Sequence, residues 1–252
     1  MKKKILFITG CEGQIGQATV NYFSERAWDC YGMDKVNKTK LNSLKFYQKG
    51  DVSERISFKD LFSAIKLESN IEYQISLLNN AGVAVFTSSE ERTYEEYKYV
   101  SDVNLLGPIF GITEFFKHFS SQKNEFNLSR LRILNISSIY GLISPNQKIY
   151  TDTSRNSSEI YGATKAGLIQ LTKYFASRYA DSNLQVNCIA PGGILNKEVQ
   201  GPEFIKNYSN LVPLNRLCNV EELVNLIYSI LNTDCSYLTG QTISLDGGMT
   251  TW

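Results

Sequence analysis

Short apolar runs alternate with longer amphipathic stretches along the whole chain. The runs fall at residues 5–9, 30–33, 44–47, 75–78, 133–136, 185–189 and 242–245, and each is four or five residues long. Largely apolar character over so short a length predicts strands buried on both faces. Between them, three- and four-residue spacing predicts helices over 14–26, 54–67, 93–119, 159–179 and 220–231. The fourth is the clearest, with Ala166, Leu168, Ile169, Leu171, Thr172, Phe175 and Ala176 forming its apolar side. Asn219, followed by Glu221 and Glu222, reads as a cap with acids in the first helical turn. Strand–helix alternation of this kind predicts βαβ units and a seven-stranded parallel sheet covered by helices on both faces, in three layers. Nothing repeats and no linker interrupts the pattern, so residues 1–252 are expected to form a single domain. The one polar, strand-free stretch is 144–158.

Composition narrows the function by exclusion. The 252 residues are 42% hydrophobic and carry 26 basic against 25 acidic side chains. Neither a nucleic acid nor an anionic membrane surface would find electrostatic support on such a chain. No stretch reaches the ~20 apolar residues of a membrane span. The run behind Lys2, Lys3 and Lys4 is too short for an export segment, which needs roughly 7–15 apolar residues. Cys11, Cys30, Cys188, Cys218 and Cys235 form no Cys-x-x-Cys pair, and the lone His118 completes no zinc set with them, so no metal is expected. They read as buried or half-buried thiols of a cytoplasmic protein.

Three strand ends carry residues suited to a nucleotide. Gly10, Gly13 and Gly16, in Thr9-Gly10-Cys11-Glu12-Gly13-Gln14-Ile15-Gly16, follow the first strand and open the first helix. Glycines there let backbone N–H groups approach a pyrophosphate at the positive end of a helix. Asp34 ends the second run, where an acid can bind the adenosine ribose hydroxyls and repel a 2′-phosphate. NAD is therefore the expected cofactor; Lys35 and Lys38 pull toward NADP. Asp51, with Val52, follows the third run as an adenine contact or a helix cap, and Asn79-Asn80-Ala81-Gly82 follows the fourth at the ligand-binding edge of the sheet.

The chemistry is expected at Tyr161 and Lys165, four apart and so on one helical face. A lysine charge lowers the pKa of a neighbouring phenol and turns it into a usable general acid or base. Tyr94 and Lys98 share that spacing but read as an exposed helix start. Ser138 follows the fifth run and brings a hydroxyl to the same sheet edge to hold a substrate oxygen. Asn104, inside 93–119, can bend its helix and hold a water for proton relay.

Taken together, Thr9 to Gly16, Asn79 to Gly82, Asn104, Ser138, Tyr161 with Lys165, Pro191-Gly192-Gly193 and Leu245-Asp246-Gly247-Gly248 occur in an order that resembles the short-chain dehydrogenase/reductase family. The resemblance spans essentially the whole chain. It implies a doubly wound Rossmann fold, NAD(P) dependence, an Asn104–Ser138–Tyr161–Lys165 tetrad, and cofactor contacts that include Pro191, Gly192 and Ile194. The chain departs from the single-domain branch in three places. Gly13-Gln14 replaces the usual glycine spacing and looks like the extended branch, Asn196 stands where a threonine often touches the nicotinamide amide, and Ser138 and Tyr161 are about ten residues further apart. The residues from Ser137 to Gly141, Ser144-Pro145, Ile149-Tyr150, Thr153-Ser154, Ile194 and the last four positions resemble the flagellin modification protein A subgroup, which belongs to bacterial surface-glycan and nonulosonic-acid sugar pathways.

The leading expectation is an NAD(P)-dependent oxidoreductase of a secondary alcohol or ketone on a polar, sugar-like substrate. A 3-oxoacyl thioester reductase is the enzymatic alternative, although its acidic carrier protein would favour a basic patch that a near-neutral chain does not obviously supply. A dinucleotide-binding regulator is the non-catalytic one, and the complete tetrad argues against it. The expected partners are a small-molecule substrate and further copies of the chain, as a homodimer or homotetramer.

Overall fold

The computed structural model describes residues 2–123, 125–151 and 156–251. Seven strands, β1 (Lys2–Thr9), β2 (Trp28–Asp34), β3 (Phe46–Lys49), β4 (Glu72–Asn79), β5 (Asn127–Ile136), β6 (Leu184–Pro191) and β7 (Thr242–Leu245), form one sheet in the order β3-β2-β1-β4-β5-β6-β7. Every neighbouring pair is parallel. The helices are α1 (Gln14–Ser24), α2 (Arg55–Ser63), α3 (Tyr94–Ser101), α4 (Gly107–Ser120), α5 (Glu159–Arg178), α6 (Pro202–Ser209) and α7 (Val220–Asn232).

Strand periodicity sorts the core into two layers. Ile5 and Phe7 of β1 face one side of the sheet, and Leu6 and Ile8 face the other. The first side meets Phe58 and Phe62 of α2, Phe115 and Phe119 of α4, and Phe175 of α5. The second meets Val20 and Phe23 of α1 and Leu223, Ile227 and Leu231 of α7. The result is three layers with helices on both faces, as expected. Phe7, Phe62, Phe115 and Phe119 pack edge-to-face or tilted, with centroids 4.8–5.9 Å apart. Such ring pairs add about 0.5–1.5 kcal/mol each beyond area burial.

Five of the seven strands, β1, β2, β4, β5 and β6, run longer than the apolar pattern suggests, and β7 matches it. β1 begins at Lys2 because β4 pairs with it from Glu72, and Lys2 meets Glu72 at 3.1 Å. β3 starts at Phe46 rather than at position 44 and lies at the sheet edge, where polar residues are tolerated. The expected helix over 93–119 is instead two helices joined by a π-helical segment, Asp102–Leu106. Pro108 explains the break, since it lacks the N–H that would bond the carbonyl of Asn104. Thr93 caps α3 with Glu96 in a capping box, and Asn219 does the same for α7 with Glu222. Helix α6 was not foreseen; within it only Phe204 and Tyr208 are buried.

Between the layers lies a polar chain. Asn79 Nδ2 donates to Asn135 Oδ1 (2.8 Å), Asn135 Nδ2 to Thr172 Oγ1 (2.9 Å), and Thr172 in turn to the carbonyl of Leu168 (2.9 Å). It ties β4, β5 and α5 together just below the sheet edge that carries the site. Asn135→Ala leaves the buried Asn79 amide without its acceptor and should destabilise the fold by about 1–3 kcal/mol. A urea midpoint within error of the unmodified protein, at unchanged m-value, would show that the chain is not structural.

Candidate active site

At the carboxyl ends of β1 and β4 the strand order reverses, and the chain leaves a crevice there. Its walls are laced together. Thr9 Oγ1 accepts from Asn80 N and Ala81 N (both 3.1 Å), while Asn80 Nδ2 donates to the carbonyls of Thr9 and Gly10 (both 3.0 Å). The crevice has two lobes that share Ile15, Asn80, Gly82 and Val83.

The first lobe, ≈ 460 Å³, is bordered by the glycine turn, by Asp34 and by Val52. Two of its glycines are structurally obligatory. Gly10 has φ +66°, and a Cβ on it would lie 2.9 Å from Ala81 Cα; a Cβ on Gly16 would lie 2.2 Å from the Gly10 carbonyl. Gly13 tolerates a Cβ at 3.5 Å, so its lack of side chain serves the lobe rather than the turn. Gly13 also begins α1 with no side-chain cap and no acid in the first turn, which leaves the helix N-terminus open to an anion. These residues therefore fit a dinucleotide pyrophosphate.

Asp34 accepts from the backbone N–H of Glu12 (3.0 Å) and of Lys35 (2.7 Å) and remains half-buried at the lobe edge. Glu12 joins it on the lining, a second acid that the sequence reading did not single out. The Asp51 carboxylate turns to the Lys35 ammonium (2.8 Å) and to Ser53 N (2.9 Å), and it is Gly50 and Val52 that border the lobe. Asp51 is not the α2 cap either; Glu54 is.

The second lobe, ≈ 380 Å³, gathers Ser138, Tyr161 and Lys165 with Pro191, Gly192, Gly193 and Ile194. Ser138 follows β5, accepts from Tyr140 N (3.1 Å) and lines the cavity beside the Tyr161 phenol. Lys165 Nζ donates to the Ile136 carbonyl (2.9 Å) and lies 5.6 Å from the Tyr161 ring centroid. Asn104 sits behind the lining, fully buried. Its Oδ1 accepts from Val83 N (2.8 Å), and its Nδ2 donates to the Val83 carbonyl (2.9 Å) and to Thr164 Oγ1 (3.4 Å). Gly82 joins the set, since a Cβ there would stand 3.3 Å from Lys165 Nζ and 3.5 Å from Asn104 Oδ1. Tyr94, the rival for Tyr161, is 74% exposed at the start of α3.

One electrostatic expectation is corrected. Burial raises the Tyr161 phenol above its ordinary value, and Ser138 only partly opposes it. Lys165 itself is pushed to about 8, again by burial. Desolvation is the largest influence on both groups, and the ammonium has a neutral carbonyl as its acceptor. The cysteines differ in one place from expectation. Cys11, Cys30 and Cys188 are buried and Cys218 half-buried, but Cys235 is exposed.

A dinucleotide cradle opening straight into a cavity that holds a half-buried phenol and a buried ammonium defines the class: an NAD(P)-dependent oxidoreductase. A family model described as enoyl-(acyl carrier protein) reductase matches residues 15–250. The chain belongs to the short-chain dehydrogenase/reductase family. Among solved structures it is similar to a short chain dehydrogenase from Leptospira borgpetersenii with bound NAD+, at 33% identity and a TM-score of 0.85, over 99% of this chain and 94% of that one. It is 28% identical to a 3-oxoacyl-[acyl-carrier-protein] reductase of Thermotoga maritima, over 99% of this chain and 98% of the relative. It is 25% identical to the post-translational flagellin modification protein A of Campylobacter coli, over 98% of both chains. Among the described residues no helix is long and apolar enough to cross a membrane.

The lowered Lys165 makes a stability prediction. Its folded pKa, about 8, lies below the ordinary 10.5, so between these values the unfolded chain binds a proton that the folded chain does not. Stability contributed by this group therefore rises with pH through that window, approaching about 1 kcal/mol per pH unit. The stability of the unmodified protein minus that of Lys165→Met, measured by urea unfolding without added cofactor, should increase from pH 8 to 10. A flat difference would place the ammonium in solvent.

Proposed function

We propose that the protein interconverts a secondary alcohol and a ketone on a polar, ring-shaped, sugar-like substrate, with Tyr161 as general acid/base. The observation that carries this is the convergence of Ser138, Tyr161 and Lys165 on one cavity that adjoins the cradle. When bound, the nicotinamide supplies or takes the hydride at the carbonyl carbon. Ser138 holds the substrate oxygen, and Tyr161 gives that oxygen a proton in reduction or removes one in oxidation. Lys165 binds the nicotinamide ribose beside the phenol. Asn104 fixes the Val83 backbone beside them.

In the same reading, Gly10, Gly13, Gln14, Ile15 and Gly16 surround the pyrophosphate, Asp34 takes the adenosine ribose, and Asp51 and Val52 flank the adenine. Asn80, Ala81, Gly82, Pro191, Gly192 and Ile194 enclose the nicotinamide half. The reading also has the chain work in the cytoplasm as a homodimer or homotetramer.

Two observations favour a hydroxylated ring as substrate. The cavity is lined by the aromatic side chains of Tyr140, Tyr150, Phe204 and Tyr208, which suit ring C–H groups, and by the polar residues Asn156, Ser157 and Gln200. The likeness to the flagellin modification protein points the same way. A second reading, reduction of a 3-oxoacyl thioester, has support from the Thermotoga relative. NADH oxidation with keto-sugar nucleotides against acetoacetyl thioesters separates the two, and a preference for the thioester sinks the first.

Tyr161→Phe removes only the ionisable hydroxyl. NADH affinity should survive while kcat falls by roughly 10²–10⁴-fold. Parallel loss of affinity and turnover would make Tyr161 structural.

Asp34 and Glu12 both oppose a 2′-phosphate, and Lys35 is occupied by Asp51. The protein should therefore bind NADH more tightly than NADPH, and Asp34→Ala should narrow the gap to within about tenfold. Titration with both nucleotides tests this; tighter NADPH binding by the unmodified protein would mean that Lys35 or Lys38 prevails.

A further inference from the structure

The loop that follows β6 forms one wall of the catalytic cavity through Gly192, Gly193 and Ile194. For a hydride to reach a carbonyl held by Ser138 and Tyr161, the nicotinamide must rest against this wall. This step depends on the function proposed above. Asn196, where the family often carries a threonine, does not line the cavity. Its Oδ1 accepts from Glu198 N (3.1 Å), and its own N–H goes to Gln200 Oε1 (2.8 Å).

Other side chains hold the loop. Gln14 Nε2, reaching across from the glycine turn, donates to the Leu195 carbonyl (2.8 Å), and Gln200 Nε2 donates to the Ile194 carbonyl (2.8 Å). The third is Tyr208, from α6, whose phenol oxygen accepts the Gly193 N–H at 2.5 Å. Tyr208 is 3% exposed and packs with Ile139, Ile149, Phe204 and Val212. Only glycine allows this approach. A Cβ on Gly193 would stand 2.8 Å from Tyr208 Cζ, and one on Gly192 3.2 Å from the phenol oxygen. Burial lifts the phenol to about 12, so at neutral pH it stays uncharged.

We infer that Tyr208 is a positioning residue for the nicotinamide half of the cofactor: by taking the Gly193 N–H it sets the wall formed by Gly192–Ile194, and so ties helix α6 to the nicotinamide pocket. Phe204, on the same helix, lines the cavity and stacks on Tyr150 (5.3 Å). The residue that orders the wall is thus built into the element that covers the substrate.

ADP-ribose provides the test, because it shares everything with NADH except the nicotinamide ring. Calorimetric titration of the full-length protein should give unmodified protein that binds NADH more tightly than ADP-ribose. Tyr208→Phe keeps the ring in its apolar cluster and removes only the acceptor. It should weaken NADH about five- to tenfold and leave ADP-ribose unchanged. If Tyr208→Phe loses its cooperative melt, Gly193→Ala, whose Cβ displaces the ring instead, should give the same signature. Equal affinities of Tyr208→Phe and unmodified protein for NADH would overturn the inference, as would parallel weakening of both ligands. Unmodified protein that binds NADH no more tightly than ADP-ribose would instead remove the nicotinamide from this cavity, and the functional reading with it.

Discussion

The lacing of β1 to β4 through Thr9 and Asn80 is the constraint on which the site rests. A parallel sheet leaves its last carbonyls and the following amides unpaired where strands diverge, and buried polar groups of this kind must find partners. Asn80 answers for both sides at once, giving its amide protons to the carbonyls of Thr9 and Gly10, while the Thr9 hydroxyl accepts the backbone amides of Asn80 and Ala81. That closure holds Gly10 in its left-handed conformation against Ala81 and turns the chain so that Gly16 seats on the Gly10 carbonyl. The cradle and the catalytic cavity share Asn80 and Gly82 as a common border. A shift at this junction would therefore move both lobes together.

Burial governs the chemistry in the second lobe. An ammonium removed from water is costly unless paired, and Lys165 has a carbonyl rather than a carboxylate as its acceptor. The molecule bears that cost where a ligand bearing hydroxyls and phosphates can offset it. Gly82 is part of the same arrangement, because a side chain there would press on the Lys165 ammonium. The π-helical turn at Asp102–Leu106 carries Asn104, whose side chain holds both polar groups of the Val83 backbone. Positions that would be stability defects elsewhere are concentrated around one cavity.

The sequence conveyed the sheet and its helices because both report through periodicity. Ile5 to Ile8 alternate between layers, and the helix spacing in α5 places Leu168, Ile169, Thr172, Phe175 and Ala176 inward. It also brought Ser138, Tyr161 and Lys165 together, since strand ends and a four-residue helical step are local facts. Features that depend on distant partners were not legible. The ion pair of Asp51 with Lys35 is invisible to local spacing, and Lys165 reads as a phenol-acidifying charge until burial is counted. Helix α6 has a short apolar face, and Tyr208 gains its meaning only from a glycine fifteen residues earlier. The π-helical turn had one local signal, Pro108, which a periodicity argument passes over.

The polar stretch between Ser138 and Tyr161 is not an autonomous insertion. Its described part forms two short 3₁₀ turns, Ile139–Gly141 and Gln147–Ile149, while residues 152–155, which include Thr153 and Ser154 of the subgroup resemblance, lie outside the described residues. Ile139 and Ile149 pack with Phe204 and Tyr208 of α6, and Thr151 hydrogen-bonds Glu203 (3.2 Å) and Asn207 (3.1 Å) on the same helix. On the other flank Asn156 donates to the Phe86 carbonyl at 2.5 Å, and Arg92 joins Glu159 at 2.5 Å two residues before Tyr161. Segments remote in sequence thus close on one another over the cavity. Binding selectivity built this way belongs to the interlocked set rather than to any one loop. A change in the stretch would be transmitted by packing through α6 to the loop Gly192–Ile194.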